Sequence, residues 1–507
     1  MSRAMFLLMV PLLGLSLVLA DYPHKHFTQY QEDPRNYSEP GLKVRLTARG
    51  LDYASALGAH ILEEQVKQIK FPKVRAKIND GPGHGELTLS NINIQTFESP
   101  TFHYDLIPTD TFVWKAKGGH IQVRGDWSAW YKMLVKLQTH GYVITSASDV
   151  DVFINATVHV NNASMPEFRV LACGVKLGQV QVKIGGGLVP SIVNMFRSQI
   201  AAKLKELVEE KLCDQVTNVL VEFANKKILQ LPKVIPLDDN FYLNYAMTSN
   251  PLITNEYIES NLYAEVTYNG ETTPLEPTPL PDVPTSVNAS RMIYVWGSDF
   301  ILNSFMYSAH KHDMMRYALT KDDKKMASYL KTSCFLTCIG FVIPEIGQKY
   351  PDRFVDVVLQ TAQPPEVIIT PNDAIMNATV LADLFINPWN ITQTHLVRLQ
   401  VDFVGNVDLT MKGRSLVGNF TIDKMTYSVR QSWVGPVSPD ALGLIEDMTR
   451  PFLETIINDK LGKGLPIPTV KDIRLVRPEL KFLHRTLQVD TNFAFKDIFA
   501  YRVLGDD

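Results

Sequence analysis

The side chains of this sequence that could do chemistry do not assemble into a catalytic set. A serine nucleophile needs a Gly-x-Ser-x-Gly elbow; Gly413-Arg414-Ser415-Leu416-Val417-Gly418 has the wrong spacing and alternates like a strand. No His-Glu-x-x-His, Cys-x-x-Cys or phosphate-cradling glycine loop occurs. His24/His26 and His310/His312 are His-x-His pairs that could grip a metal from a strand, but a solvated face accounts for them far better. Asp322-Asp323-Lys324-Lys325 is a charge run of the kind that marks a turn. No catalytic residue, metal ligand or cofactor is therefore expected, and the chain reads as a binding protein rather than an enzyme.

Other residues point outside the cell. Met1 to Ala20 carries Arg3, an apolar run and Val18-Leu19-Ala20, the pattern of a signal peptide. No later apolar run reaches the roughly 18 residues that a membrane span requires. Seven sequons, at Asn36, Asn155, Asn162, Asn288, Asn377, Asn390 and Asn419, make glycosylation expected at several of them. Four cysteines in an exported chain are expected as disulfides. Cys173 ends a strand-like run and Cys213 sits in mid-helix, so a bond between them would clamp the helix across a sheet. Cys334 and Cys338 are left for each other. Four cysteines do not make a disulfide scaffold, so the 45% hydrophobic content must build the core. A net charge of −3 leaves no footprint for nucleic acid. The expected location is secreted and extracellular.

The elements that must position any site follow from periodicity. Gly187 to Pro232 reads as one long helix, started by Pro190 and Ser191, suited at its C-terminal end by Lys226 and Lys227, and stopped by Pro232. Its apolar stripe includes Ile192, Phe196, Ile200, Leu204, Leu207, Val208 and Leu212. A shorter amphipathic helix over residues 50–72 carries Tyr53, Leu57, Ile61, Val66 and Ile69 on one face. Residues 85–185 are a run of strands. Val150 to Val160 is apolar at every second position, with Asn155 on the opposite face. Leu87 and Leu89 change phase to Ile92 and Ile94, which predicts a bulge near Ser90. Residues 272–285 hold five prolines and read as an extended linker.

The plan then repeats. Ser298 is expected to cap a helix to about Lys311 that carries Ile301, Leu302, Phe305 and Met306. Alternating strands follow over residues 397–422. A second long helix runs from about Pro439 to Leu461, kinked at Pro451, with Leu442, Ile445 and Phe452 among its apolar residues. Both long helices lead into a Leu-Pro…Ile-Pro segment, at 229–236 and 463–468. The chain is read as two copies of one module. An ordinary filled core would give the same helix and strand pattern.

GLDYAS (50–55), IKFP (69–72), the Cys173/Cys213 spacing, RMIYVWGSDFILN (291–303) and KGLPIPT (463–469) occur in order along nearly the whole mature chain. Together they resemble the secreted lipid-binding family of bactericidal/permeability-increasing protein, lipopolysaccharide-binding protein, phospholipid transfer protein and cholesteryl ester transfer protein. The resemblance implies an α+β boomerang of two similar elongated lobes. Each lobe is a strongly curved antiparallel sheet wrapped on a long helix, and a central antiparallel sheet joins them. The expected division is a signal peptide (1–20), a first barrel-like lobe (21–231), central strands with the proline-rich linker (232–290), a second lobe (291–464) and a return to the central sheet (465–507).

The resemblance also implies two apolar pockets for phospholipid acyl chains, each buried CH₂ gaining about 0.8 kcal/mol. The pocket candidates are then Tyr53, Leu57, Ile61, Val66, Ile192, Phe196, Ile200, Leu204, Ile301, Phe305, Met306, Leu442, Ile445 and Phe452. The expected partners are phospholipids or other amphipathic lipids, with transient contact to a membrane or lipoprotein surface. Relatives that grip lipopolysaccharide carry a dense Lys/Arg cluster at the tip of the first lobe. The matching stretch here, residues 120–136, is diluted: Arg124, Lys132 and Lys136 share it with Asp126, Trp127, Trp130 and Tyr131, and Lys115 and Lys117 lie just upstream. Phosphate capture needs clustered cations. The aromatics suit a headgroup interface, or the packing of an ordinary hairpin. Lipid carriage is the first expectation, and lipopolysaccharide or bacterial-surface recognition through this tip is the alternative.

Overall fold

The period-two runs become strands of unusual length. In the computed structural model, Thr111–Lys132 and Lys136–Val160 contain 22 and 25 residues and pair as one hairpin from Thr111↔Thr157 to Lys132↔Lys136. At about 3.3 Å per residue each reaches roughly 70–80 Å. The structure describes residues 39–495 except 54, 57–65, 68, 79–82, 99, 109–110, 187–189, 219–224, 226–232, 238, 282–289, 325, 336, 389–393, 414 and 467–472.

The first lobe is an antiparallel sheet in the order Val74–Ile78, His84–Glu98, Thr111–Lys132, Lys136–Val160, Pro166–Leu177. Thr101–Ile107 and Val180–Gly186 pair with its two long strands. Register breaks between Ser90 and Asn93, at Ala116/Gly119 and at Asn155/Ala156 bend it. The break at Ser90 is where the hydrophobic phase changes, and Asn91 there adopts a φ of 51°. Alternate residues such as Leu87, Leu89, Val123 and Val143 face one apolar cluster. The helix Pro190–Asn218 lays Ile200, Leu204, Leu207, Val208 and Leu212 into the same cluster.

The second lobe repeats the arrangement. Its sheet runs Arg316–Leu319, Val355–Thr361, Ala374–Ile386, His395–Lys412, Ser415–Ser432, Leu465–Pro466, with Glu366–Ile369 paired to Ala374–Ile386. The helix Pro439–Leu461 contains Pro451 and is capped by Ser438, whose side chain accepts from the Ala441 N–H. Ala441, Ile445 and Leu453 bury against Val401, Phe420 and Ile422.

Similar polar rivets fasten the sheet in both lobes, from Glu209 on the first long helix and Asn225 beyond its described end, and from Glu454 and Asn458 on the second helix. The Asn225 amide exchanges two hydrogen bonds with the Phe168 backbone, at 2.7 Å each, and Glu209 accepts from the Leu177 N–H at 2.9 Å. In the second lobe Asn458 does the same for Phe420 at 2.6 and 2.9 Å, and Glu454 accepts from the Ile422 N–H at 2.8 Å. These side chains satisfy strand groups that would otherwise be left without partners.

Six strands build a central sheet in the order Leu252–Ile253, Tyr257–Leu262, Leu42–Thr47, Ile293–Ser298, Thr486–Phe495, Ile473–Leu483. The strands that open the two halves, Leu42–Thr47 and Ile293–Ser298, therefore lie in this sheet rather than in the lobes. Arg45 is buried there, paired with Glu259 at 2.6 Å and stacked 3.9 Å from the Tyr257 ring centre. A three-stranded sheet of Val234–Pro236, Phe241–Asn244 and Glu265–Tyr268 packs beside the helix Phe300–Lys311.

Two sequence expectations change locally. Asp299, not Ser298, occupies the cap position of the Phe300–Lys311 helix; Ser298 ends a strand and gives its hydroxyl to the Gly41 carbonyl at 3.2 Å. The cap side chain is also diverted, because Asp299 is buried against Arg485 at 2.7 Å and Thr278 at 3.0 Å. Of the helix expected over 50–72, residues 50–53, 55, 56 and 66 are helical and most of the rest lies outside the described residues.

Candidate functional site

The described candidate pocket residues fall into four clusters. Val66, Ile200 and Leu204 are buried in the first lobe's cluster, and Tyr53 packs on it with its ring edge-on to Phe493 at 5.3 Å. Ile445 is buried in the second lobe's cluster, with Leu442 and Met306 packed against it. Ile301 and Phe305 lie instead on the outer side, against Phe241 and Val266 of the three-stranded sheet. Phe452 packs on a separate cluster of Leu319, Met326 and Leu330. A helix inside a sheet has two apolar sides, and periodicity alone does not tell them apart. Leu57 and Ile61 lie outside the described residues, and so do the side chains of Ile192 and Phe196.

On the inner wall of the first lobe, Trp127 Nε1 and Thr145 Oγ1 are buried and have no hydrogen-bond partner among the described residues. A donor left in an apolar wall costs about 1–3 kcal/mol until it meets an acceptor. A ligand oxygen would supply one. In the second lobe the Tyr427 hydroxyl sits against Thr449 on the long helix, and burial pushes its pKa up to about 12, so it stays neutral.

The tip candidates do not converge. Lys115 pairs with Asp105, and Lys115 and Lys117 face Phe153 and Thr101, about 50 Å along the strand from Lys132. Trp127 points into the lobe because it shares the buried parity of Val123 and Tyr131. Arg124 lies on the outer face, 5.2 Å from the Tyr142 ring centre. Trp130, Lys132 and Lys136 do reach the hairpin end, with Lys136 Nζ 4.6 Å from the Trp130 ring centre and His84 edge-on to that ring at 5.8 Å.

The turn that joins the two long strands holds residues not singled out from the sequence. Met133, Leu134 and Val135 are 58%, 95% and 71% exposed, and Leu137 beside them is exposed as well. The signal was present as an apolar triplet between Lys132 and Lys136, but apolar residues amid strands read as core. This end is remote from the central sheet. The opposite end of the hairpin is tied there, by Val160 N–H to Asn250 at 2.7 Å and Met247 N–H to the Ser164 carbonyl at 2.9 Å. The hairpin thus presents an apolar apex collared by two cations, Lys132 and Lys136.

Both disulfides are present. Cys173–Cys213 joins the strand Pro166–Leu177 to the long helix, with Cα atoms 5.9 Å apart. Cys334–Cys338 closes a short ring with Cα atoms 6.1 Å apart. Among the sequons, Asn162 and Asn419 are exposed, while Asn155 and Asn377 are half-buried on outer sheet faces. Asn377 lines a surface groove of about 330 Å³ in which Thr379 donates to Asp402 at 2.7 Å. Asn36, Asn288 and Asn390 lie outside the described residues. Among the described residues no helix is long and apolar enough to cross a membrane, and no cluster of His, Cys, Asp or Glu is poised to hold a metal.

Comparison with known proteins follows the same two halves. The chain is 24% identical over 460 residues to a bactericidal permeability-increasing protein of Sebastes schlegelii, covering 90% of this chain and 95% of that one. It is 22% identical over 464 residues to the lipopolysaccharide-binding protein of Bos taurus, covering 90% and 94%. A crystal structure of lipopolysaccharide binding protein covers 91% of this chain with a TM-score of 0.58 at 20% identity, so the two share the two-lobed α+β fold. Residues 50–223 match the N-terminal domain of the LBP / BPI / CETP family and residues 235–495 its C-terminal domain, and the chain belongs to that family.

Proposed function

We propose that this chain is a secreted, non-enzymatic carrier of phospholipids that docks on lipid surfaces. Acyl chains would lie between each long helix and the inner wall of its sheet, with the headgroup toward the mouth. The observation that carries the reading is the first lobe's apex, where exposed Met133, Leu134 and Val135 stand between Lys132 and Lys136. Burying such side chains in a lipid interface is favourable by about 25 cal/mol per Å². The Trp127 and Thr145 donors, which have no partner among the described residues, add support, since an ester carbonyl at that depth would complete them.

The test is native mass spectrometry of the secreted protein with lipid extraction, alongside phospholipid exchange between vesicles. Bound phospholipid and accelerated exchange are expected, and Leu134→Ser with Val135→Ser should slow exchange about tenfold. Protein that carries no lipid, resists loading and moves none between vesicles would refute the reading.

A second reading, lipopolysaccharide recognition, is favoured by the exposed cations Arg124, Lys132 and Lys136 on the same hairpin and by the proteins this chain resembles. Binding of that kind should weaken steeply with added salt. Apex insertion should not.

A further inference from the structure

The second lobe also exposes apolar groups held between cations. The Cys334–Cys338 bond closes the ring Cys-Phe-Leu-Thr-Cys, and Phe335 stands on it 88% exposed. The ring cannot fold back, because its C-terminal side is bonded into the lobe. Ile339 N–H donates to the Tyr329 carbonyl at 2.8 Å and Gly340 N–H to the Lys331 carbonyl at 3.2 Å. Gly340 is packed so closely that an added Cβ would lie 1.8 Å from the Thr332 carbonyl oxygen. The next turn points Val342 and Ile343 inward and leaves Phe341 48% exposed. Lys331 and Lys349 are exposed on the same knot. Glu345, the one carboxylate among residues 331–349, lies against Gly435.

The position of this knot is as informative as its chemistry. One end of the second lobe's sheet is tied to the central region, by Arg485 N–H to the Ile369 carbonyl at 2.8 Å and by Asn303 to the Val367 backbone at 2.7 and 2.9 Å. The knot joins the other end, where Val355 pairs with Ile386 and Asn387 N–H donates to the Phe354 carbonyl. Ala374 and Ile386 are thus about 40 Å apart along one strand. The knot therefore sits at the far end of its lobe, as the Met133–Val135 apex does in the first.

We propose that this disulfide-closed loop is a second lipid-surface contact. Phe335 and Phe341 enter the boundary between headgroups and acyl chains of an anionic bilayer, and Lys331 and Lys349 meet its phosphates. The occupant is a lipid surface because the arrangement, apolar side chains between two exposed lysines with the carboxylate turned away, is the one found at the first lobe's apex and complements anionic headgroups. The inference rests on the carrier reading and adds to it a docking point on the other lobe.

The experiment is flotation of the full chain with phosphatidylcholine–phosphatidylglycerol vesicles, with lipid load read in parallel by native mass spectrometry. Phe335→Ser with Phe341→Ser should lower partitioning about tenfold while lipid load and thermal midpoint stay as in the wild type. Phe335→Trp should add an emission component that shifts to the blue on vesicles and is quenched by acyl-brominated phospholipid. Unchanged partitioning of the double variant, or an introduced indole that brominated lipid leaves unquenched, overturns the proposal. A double variant altered only in self-association would make the patch a contact between copies and overturn it too. A wild type that neither carries lipid nor floats would bring down the carrier reading itself, and this contact with it.

Discussion

His395 stands between the Phe385 and Trp433 rings, with centroids 4.5 and 3.8 Å away, and its Nε2 meets Asp383 at 2.9 Å. Burial holds its pKa below the ordinary histidine value; the Asp383 carboxylate opposes this only in part, and Arg398 adds to the depression. The unfolded chain therefore takes up the proton more readily than the folded one. The stability this histidine contributes is present above its ordinary pKa and is lost as pH falls through its folded pKa. Acidification from about pH 7.5 to about pH 5 should lower the second lobe's thermal midpoint by a few degrees. In His395→Gln that part of the decline should vanish, and an identical pH slope in calorimetry would contradict the assignment. Single residues were also where the sequence was least legible. Trp127 and Trp130 read alike, but three residues along a strand reverses the face, so one belongs to the inner, buried wall and the other to the outer face. Parity could be assigned only relative to neighbours, and the interleaved aromatics hid it.

The elements were far more legible, because strand and helix periods are local. The alternation over Val150–Val160, the phase change at Ser90 and both long helices follow from side-chain spacing alone. The rivets between helix and sheet did not, since a polar residue on an apolar helix face counts against the pattern that finds the helix. Asn458 is such a residue, and its amide closes both the N–H and the carbonyl of Phe420. Asn458→Ala should cost about 2–3 kcal/mol in denaturant unfolding, because it strands two backbone groups at a packed interface. A loss within the range of a surface substitution, about 0.5 kcal/mol, would show that the strand finds other partners.

At the scale of the whole molecule the two lobes depend on one shared sheet. Leu42–Thr47 pairs with Tyr257–Leu262 on one side and with Ile293–Ser298 on the other, so the halves meet along a ladder from Leu42↔Gly297 to Leu46↔Ile293. The proline-rich stretch marked a boundary in the sequence, but nothing local could show that the strands on either side of it lie in the same sheet, since such pairing is long-range. A protease site inserted within residues 282–289 should, once cut, leave halves that still elute together in gel filtration and separate only in denaturant. Halves that part in plain buffer would mean the ladder adds little.

That ladder has a further consequence for ancestry. Each opening strand is flanked by the closing strands of its own half, in the order 252–253, 257–262, 42–47 and then 293–298, 486–495, 473–483. The seam between them is antiparallel and joins equivalent strands, which is the geometry of a two-fold axis running through a single polypeptide. An unduplicated half would carry a self-complementary edge, and its natural state would be a homodimer. The chain has the strand order of such a dimer held in one polypeptide. In one polypeptide each half keeps its partner whatever its own sequence becomes, so two lobes with one architecture can carry different apices.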